Sequence, residues 1–319
     1  LDTVTVNDTK FKSVIFLLTR LPNHGDAHLW ISISFCFVYV ISIVGNSVIL
    51  FIIKTDSSLH KPMYIFLYML ATTNLGILIT TMTTILGIYL FISRDISLDA
   101  CLAQLFFIHV LHCIESSVLL LMAFDRFIAI YNPLRYTSIL ILPRIAKMGL
   151  VAVVRATVII LPLPFLLKRF QYCGNNVLSH SYCVMKMACS DISVNSIYGL
   201  FAKLLTMGLD SLLIFLSYMM ILKKVLNTVS QAECLRALNT CVSHLCAVLL
   251  FYTPEIGLSV IHRFGRRSSP FLQILLGYIS LLVPPLINPI VYSLKSKHLR
   301  VRIIRGLGQG VRVWVPGGS

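Results

Sequence analysis

Two oppositely charged residues stand side by side at the end of a long apolar stretch. Residues 101–124 are mostly apolar, and Asp125 and Arg126 follow them directly. Charges in apolar surroundings are costly unless they are paired or reached by water. Two interpretations remain open from these residues alone: a charged switch, or an arginine whose stem lies along apolar groups while its guanidinium extends to water.

Two further sets of polar residues recur at helical spacing within apolar stretches. At about 100° per residue, each set lies on one face of its helix. We expect the two faces to line a small cavity. They consist of His109, Cys113 and Ser116 in one stretch and Glu255, Ser259 and Arg263 in another.

The sequence shows no set of residues suited to catalysis. It contains no paired nucleophile and base, no glycine-rich phosphate loop and no Cys/His set with metal spacing. His24 and His28 are four residues apart, but one such pair without further ligands is weak support for a metal site. We therefore predict a protein that is not an enzyme and holds no cofactor or metal.

The elements that carry these residues are long and apolar. The chain is 57% hydrophobic and only 12% charged, which is too apolar for a surface in contact with water on all sides, so we expect the solvent to be largely lipid. A helix needs roughly 20 mainly apolar residues to cross the hydrocarbon layer. Seven stretches qualify, near 30–53, 62–90, 101–131, 147–167, 196–222, 237–262 and 270–293.

These stretches predict an all-α membrane protein, a seven-transmembrane helix bundle. Backbone polar groups cannot stay unpaired in lipid, and the runs lack the alternation of barrel strands. The predicted organisation is an outer tail over 1–29, a seven-helix domain over 30–293 and an inner tail over 294–319. A short amphipathic inner helix is expected from about Lys295 to Arg305.

The charge distribution predicts which end of the chain lies inside the cell. The net charge of +15 comes from bases scattered at the ends of the apolar stretches, so binding to membrane lipid is favoured over binding to nucleic acid. With the N-terminus outside, more bases fall on the inner side, although the outer side also carries several. We expect a multi-pass plasma-membrane protein with a cytoplasmic C-terminus.

Two other features agree with an outer N-terminus. Asn7 begins a glycosylation acceptor tripeptide. Four cysteines fall on the outer side, where disulfides persist, and they allow three pairings. They are Cys101, Cys173, Cys183 and Cys189.

Short motifs along nearly the whole chain resemble the rhodopsin-like receptor superfamily and, within it, the odorant receptor family. Each motif is weak alone, but their order is highly specific. They are Gly45-Asn46, Lys61-Pro62-Met63-Tyr64, Met122 to Ile130, Pro133-Leu134-Arg135-Tyr136, Ser217-Tyr218, Ala237 to Leu245 and Pro285 to Tyr292. The class I, fish-like branch is indicated by Phe107-Ile108-His109, Ile114-Glu115-Ser116, Pro162-Leu163-Pro164, Ser179 to Cys183 and Ile261 to Gly265.

The resemblance implies a receptor that binds a small odorant and activates a stimulatory, olfactory-type heterotrimeric G protein, which raises cyclic AMP. It implies pairing of Cys101 with Cys183 and of Cys173 with Cys189. The ligand is expected among the outer halves of the third, fifth, sixth and seventh helices. Activation is assigned to Asp125, Arg126, Tyr218, Asn288, Pro289 and Tyr292.

Arg263 bears most directly on the choice of ligand. A guanidinium at the rim of the cavity could hold a carboxylate with two hydrogen bonds, and class I receptors are associated with acids and other water-soluble odorants. Alternatively, Arg263 could meet only water or lipid headgroups. Glu255 lies two helical turns below it, where it could neutralise Arg263 or favour an amine.

The chain departs from the family pattern at several positions. Asn74 stands where the family usually has Asp, which puts sodium modulation in doubt, and Glu115 could partly substitute. The segment from Cys183 to Cys189 is short, and Phe127 replaces a usual Tyr. Lys203 and Asp210 are seven residues apart, so we expect them to face the cavity or each other through water.

Two alternatives to an odorant receptor remain. The chain could be a small-molecule chemoreceptor outside the olfactory system. A transporter or channel is the other rival, because Glu115, Lys203, Asp210 and Glu255 could line an aqueous path.

Overall fold

The structure of the chain is a computed structural model, and it describes residues 15–18, 27–90, 95–168, 177–178, 193–227, 231–264, 270–295 and 299–303. Within these ranges, seven helices are long and apolar enough to cross a membrane. This confirms the predicted fold class.

Each predicted apolar stretch lies within one observed helical segment, because a helix can continue past its apolar run into the polar boundary. We call these segments spans one to seven, and spans four and five each consist of consecutive pieces. The spans are Ala27–Thr55, Pro62–Leu90, Leu98–Tyr131, Leu142–Ile160 with Pro162–Lys168, Ser193–Lys203 with Leu204–Gly208 and Leu209–Leu226, Gln231–Phe264, and Pro270–Lys295.

Local sequence explains where several spans begin and bend. Ser97 caps span three by accepting a hydrogen bond from the Ala100 amide at 3.4 Å. Pro254 lies inside span six, and Pro284, Pro285 and Pro289 lie inside span seven. Each proline removes a backbone donor and weakens its helix at that point.

Span five contains a second kind of irregularity, which the sequence did not reveal. Residues Leu204–Gly208 form a π-helical turn between two α-helical pieces. Such turns are uncommon and occur frequently at functional sites. The wider turn also changes which side chains share a face.

The packing separates a lipid-facing surface from an interior. Phe51 and Ile197 are among the large apolar side chains that point outward, with exposures of 68% and 67%. A buried cluster that includes Phe66, Leu70 and Leu119 fills the centre of the bundle. This arrangement suits a protein whose outer solvent is hydrocarbon.

A small three-stranded sheet is present in addition to the predicted helices. Strand β1 (Ile15–Leu18) pairs antiparallel with β2 (Asp95–Ser97) and parallel with β3 (Val177–Leu178). The segment before span one is therefore tied to the connections that precede spans three and five.

The predicted inner helix is present over residues 299–303. Leu299 is fully buried, and Arg302 pairs with Asp56 at 2.7 Å. Hydrogen bonds from Ser58 hold the pKa of the Asp56 carboxyl below its usual range, so this carboxyl stays charged for the pairing. The interaction joins the inner helix to the connection between spans one and two.

Candidate ligand site and signalling switch

Glu255 is the centre of a polar cluster shared by four spans. Its carboxylate lies 2.8 Å from Nζ of Lys203 and 3.2 Å from Nδ1 of His112, and it accepts a hydrogen bond from Ser280. These partners come from spans five, three and seven, respectively. We call Glu255, Lys203, His112 and Ser280 the outer cluster.

The structure gives Glu255 two bases other than Arg263 as partners. The Arg263 side chain lies outside the described residues, so its neutralisation by Glu255 stays a prediction. Ser259 donates a hydrogen bond to the Glu255 carbonyl at 2.8 Å. His109 is partly buried, and its Nδ1 lies 2.8 Å from the Leu105 carbonyl in its own helix.

The two deeper residues of the predicted stripe on span three are occupied by internal contacts. Cys113 is buried, with Sγ 3.5 Å from the Thr206 hydroxyl. Ser116 is fully buried; its hydroxyl donates to Asp210 at 2.9 Å and lies 2.7 Å from that of Tyr252. Because these contacts join helices inside the bundle, they support a structural role for both residues.

Asp210 forms a second polar cluster at the level of Ser116. Arg155 of span four lies 2.6 Å from its carboxylate, and Ser117 donates to it at 3.4 Å. We call Asp210, Arg155, Ser116, Ser117 and Tyr252 the middle cluster. It links spans three, four, five and six through one fully buried carboxylate.

Lys203 and Asp210 therefore have separate partners. Lys203 contacts Glu255 in span six, whereas Asp210 contacts Arg155 in span four. Their seven-residue spacing would place them on one face of a regular α-helix. The π turn at Leu204–Gly208 lies between them and rotates one piece of the span relative to the other.

The charged residues near the C-terminal end of span three are paired with each other. Asp125 is fully buried, forms an ion pair with Arg126 and accepts a hydrogen bond from Tyr136 at 2.7 Å. Burial raises the pKa of the Tyr136 phenol, which therefore remains a donor. We call Asp125, Arg126 and Tyr136 the inner switch.

Span six is packed against spans three and five beside this switch. The Tyr218 hydroxyl lies 2.5 Å from Nδ1 of His244. Ile221 and Cys241 form a buried cluster to which Phe127 adds its ring. These contacts hold the inner end of span six close to its neighbours.

Asparagine side chains join spans one, two and seven. Asn46 donates to the Pro285 carbonyl at 2.9 Å, and Asn74 donates to Asn46 at 3.1 Å. Asn288 is buried, and the Tyr292 hydroxyl donates to the Met122 sulfur at 3.8 Å. The side chain of Pro289 packs where Gly45 leaves room in span one.

Glu115 is buried in the middle of span three. Within the described residues, its Oε1 has no hydrogen-bond partner, and neither does Oδ1 of Asn74. Both groups are uncompensated oxygens in the interior. The suggestion that Glu115 substitutes for the missing acid at Asn74 stays a prediction.

The outer cysteines are described only in part. Cys101 is in a disulfide, whereas Cys36, Cys113, Cys241 and Cys246 are free thiols. Cys173, Cys183, Cys189 and the glycosylation candidate Asn7 lie outside the described residues. Their pairing and modification stay predictions.

Several interior polar residues were missed from sequence. Arg155 and His112 were not singled out, although a base within an apolar stretch is a signal that it needs a partner. Ser280, Ser117 and Tyr252 carry no such signal, because single hydroxyl groups are common in membrane helices. Only the packing of the spans identifies them as members of the clusters.

Comparison with known proteins gives a consistent result. A family model described as olfactory receptor matches residues 35–310. The human olfactory receptor 51G2 is 57% identical over 301 residues, which cover 93% of this chain and 96% of that receptor, and human olfactory receptor 51G1 is 54% identical over 307 residues, which cover 95% of each chain.

A solved structure matches the fold as well. The crystal structure of squid rhodopsin superposes with a TM-score of 0.75 at 16% sequence identity, and the match covers 90% of this chain and 82% of that one. These matches confirm the resemblance found in the motifs. The chain belongs to the olfactory receptor family of rhodopsin-like G-protein-coupled receptors, fits the class I branch of that family, and is a multi-pass membrane receptor and not an enzyme.

Proposed function

We propose that this receptor detects a small acidic odorant and activates a stimulatory, olfactory-type G protein, which raises cyclic AMP. The observation that supports this most strongly is the position of the polar clusters within one helix bundle. The outer cluster joins spans three, five, six and seven, and the inner switch lies about 20 Å further along span three. A ligand that rearranges the outer contacts can thus influence the inner ones.

The inner contacts belong to a state in which span six is packed inward. Arg126 is held by Asp125, and Tyr218 contacts His244 of span six. In the proposed active state, span six moves outward at Pro254, Arg126 becomes available to the G protein, and Tyr218 and Tyr292 support the open form. An agonist can favour that state only through its higher affinity for it.

Arg263 is the proposed clamp for the odorant carboxylate at the rim. It lies one helical turn beyond Ser259 and two beyond Glu255, on the same face of span six. Ser259, His109 and Cys113 complete the proposed lining, whereas Ser116 and Glu255 would contribute by rearranging their internal contacts. The predicted disulfide between Cys101 and Cys183 would fix the loop above this site.

The test uses cells that supply an olfactory-type stimulatory G protein, with cyclic AMP as the readout. Acids, amines and alcohols of matched chain length are compared on the wild type and on Arg263→Ala. As a control, Arg267→Ala removes another arginine four residues further along the sequence. We expect acids to activate the wild type and the control but not Arg263→Ala at equal surface expression. An unchanged dose response in Arg263→Ala rules out the clamp, and a response only to amines rules out the acidic class.

A further inference from the structure

The outer cluster has spare hydrogen-bonding capacity on its bases, whereas both oxygens of its acid already have partners. Both carboxylate oxygens of Glu255 are engaged, Oε2 by Lys203 and Oε1 by His112 and Ser280. His112 is 94% buried, and within the described residues its Nε2 has no hydrogen-bond partner. A buried ring nitrogen without a partner is costly, which indicates that another group reaches it in some state of the receptor.

The ammonium group of Lys203 is also only partly engaged in hydrogen bonds. Its side chain is 36% exposed, and in the part of the chain that the structure describes its Nζ donates only to the side-chain and backbone oxygens of Glu255. An ammonium group has three donors. The two bonds to Glu255 leave Nζ one further donor, which an acceptor on a ligand can occupy.

The charges at this level favour an acid over an amine as that molecule. An incoming ammonium would add a second cation beside Lys203 at a cluster whose one acid, Glu255, already neutralises that lysine. A carboxylate that binds Lys203 leaves Glu255 with His112 and Ser280. If the acid enters protonated and its proton passes to Nε2 of His112, the cluster gains one carboxylate and one imidazolium, and its net charge does not change.

The Lys203–Glu255 contact joins the two spans at their deformable points. Lys203 is the last residue before the π turn of span five, and Glu255 directly follows Pro254 of span six. Both irregularities weaken their helices locally. Separating the two side chains would remove a contact that holds these deformable segments together.

We propose that Lys203 is a carboxylate-binding residue of the ligand site, and that the carboxylate of an acidic agonist replaces Glu255 on its ammonium group. The choice of an acid as the ligand rests on the proposed function. The inference adds a second anchor at the level of Glu255, which is about 12 Å from Arg263 along span six. Release of Glu255 is the event that frees span six from span five.

The experiment measures ligand binding without a G protein. The purified full-length receptor in lipid nanodiscs is unfolded by heat in the presence of short- and medium-chain carboxylic acids, the matched primary amines and the matched methyl esters. We expect acids, and not amines or esters, to raise the Tm of the wild type. Lys203→Met should require about tenfold more acid or more for the same shift, whereas Lys203→Arg should retain the response.

Two further variants separate a lost anchor from a damaged fold. Lys203→Met with Glu255→Gln removes both charges and leaves neither side chain as an uncompensated ion, and this double variant should also fail to respond to acids. Lys168→Met breaks the exposed pair with Asp99 at 2.9 Å and should respond like the wild type.

Several outcomes of the binding experiment overturn the proposal. It is overturned if the double variant responds to acids as the wild type does, if no acid shifts the wild type more than the double variant, or if amines shift the wild type in a manner that requires Glu255. Acid binding that is lost in Arg263→Ala but kept in Lys203→Met would leave the rim clamp intact and remove Lys203 from the site. Binding through Lys203 without cyclic AMP in cells would instead contradict the proposed signalling function.

Discussion

At the scale of single residues, buried carboxylates determine how the interior is connected. Asp125, Asp210 and Glu255 each bring together groups from more than one part of the chain. A buried carboxylate is stable only when cations and hydrogen-bond donors surround it. Each of these sites is therefore a place where one substitution has effects on several helices.

We expect Tyr136→Phe to raise the basal activity of the receptor. The change removes a hydrogen bond of 2.7 Å to the charged Asp125, and such bonds contribute about 1.5–3 kcal/mol. If the bond exists only in the inward-packed state, its loss increases the ratio of active to inactive receptor by about ten- to hundredfold. The measurement is cyclic AMP without agonist, normalised to surface expression.

Tyr131→Phe is the matched control for this change. It removes a hydroxyl group from the same end of the bundle while the ring can remain stacked on Phe127, with centroids 4.9 Å apart in the wild type. Equal basal activity in Tyr136→Phe, Tyr131→Phe and the wild type would show that the Tyr136 hydroxyl does not restrain the inner switch.

Arg155→Met should destabilise the receptor more than loss of the whole ion pair. It leaves Asp210 fully buried with only hydroxyl donors, and the removal of one partner of a buried pair costs roughly 3–5 kcal/mol. Arg155→Met combined with Asp210→Asn removes the uncompensated charge and should recover part of the loss. The Tm of the purified variants provides the comparison, and an equal or lower Tm for the double variant contradicts this account.

At the scale of elements, close contacts between helices matter as much as charges. Asn46 links spans one, two and seven, and Gly45 beside it lets span seven approach at Pro289. Small residues allow such close approach in membrane proteins, where lipid offers helices no hydrophobic reason to associate. A side chain added at this interface therefore acts on the packing of whole spans.

Gly45→Ala should lower the Tm, whereas Gly257→Ala should not. A Cβ at Gly45 would lie 3.3 Å from Cβ of Pro289, which is part of a rigid ring, but a Cβ at Gly257 would meet Leu276 at an ordinary 3.8 Å. Both changes gain about 1 kcal/mol of helix propensity, so the difference between them reports on the contact. A Tm for Gly45→Ala at or above that of Gly257→Ala would show that spans one and seven adjust without loss.

At the scale of the whole molecule, charge and hydropathy favour one orientation in the membrane. Exposed bases such as Lys54, Arg144 and Lys223 lie at the ends of spans one, four and five that we assign to the cytoplasm. Arg300 and Arg302 of the inner helix lie beyond span seven, on the same side as Asp56. The distribution predicts an outer N-terminus and an inner C-terminus.

Epitope tags at the two ends test this orientation. In intact cells, an antibody should detect the N-terminal tag, and it should detect the C-terminal tag only after the membrane is permeabilised. Detection of both tags on intact cells would mean that the chain crosses the membrane an even number of times, and not seven times. Detection of the C-terminal tag alone would reverse the orientation and contradict the assignment of the inner switch.

The number of spans, their approximate limits and the family were predictable from the amino-acid sequence alone. These properties follow from local composition, since lipid excludes unpaired backbone groups whatever the rest of the chain does. The paired charges at Asp125 and Arg126 were also predictable, because they are neighbours in the sequence. By contrast, the contacts of Lys203 with Glu255 and of Arg155 with Asp210 became visible only in the packed bundle. Such pairs depend on how each helix is rotated about its axis, and the π turn of span five and the proline of span six alter that rotation without any signal in the hydropathy.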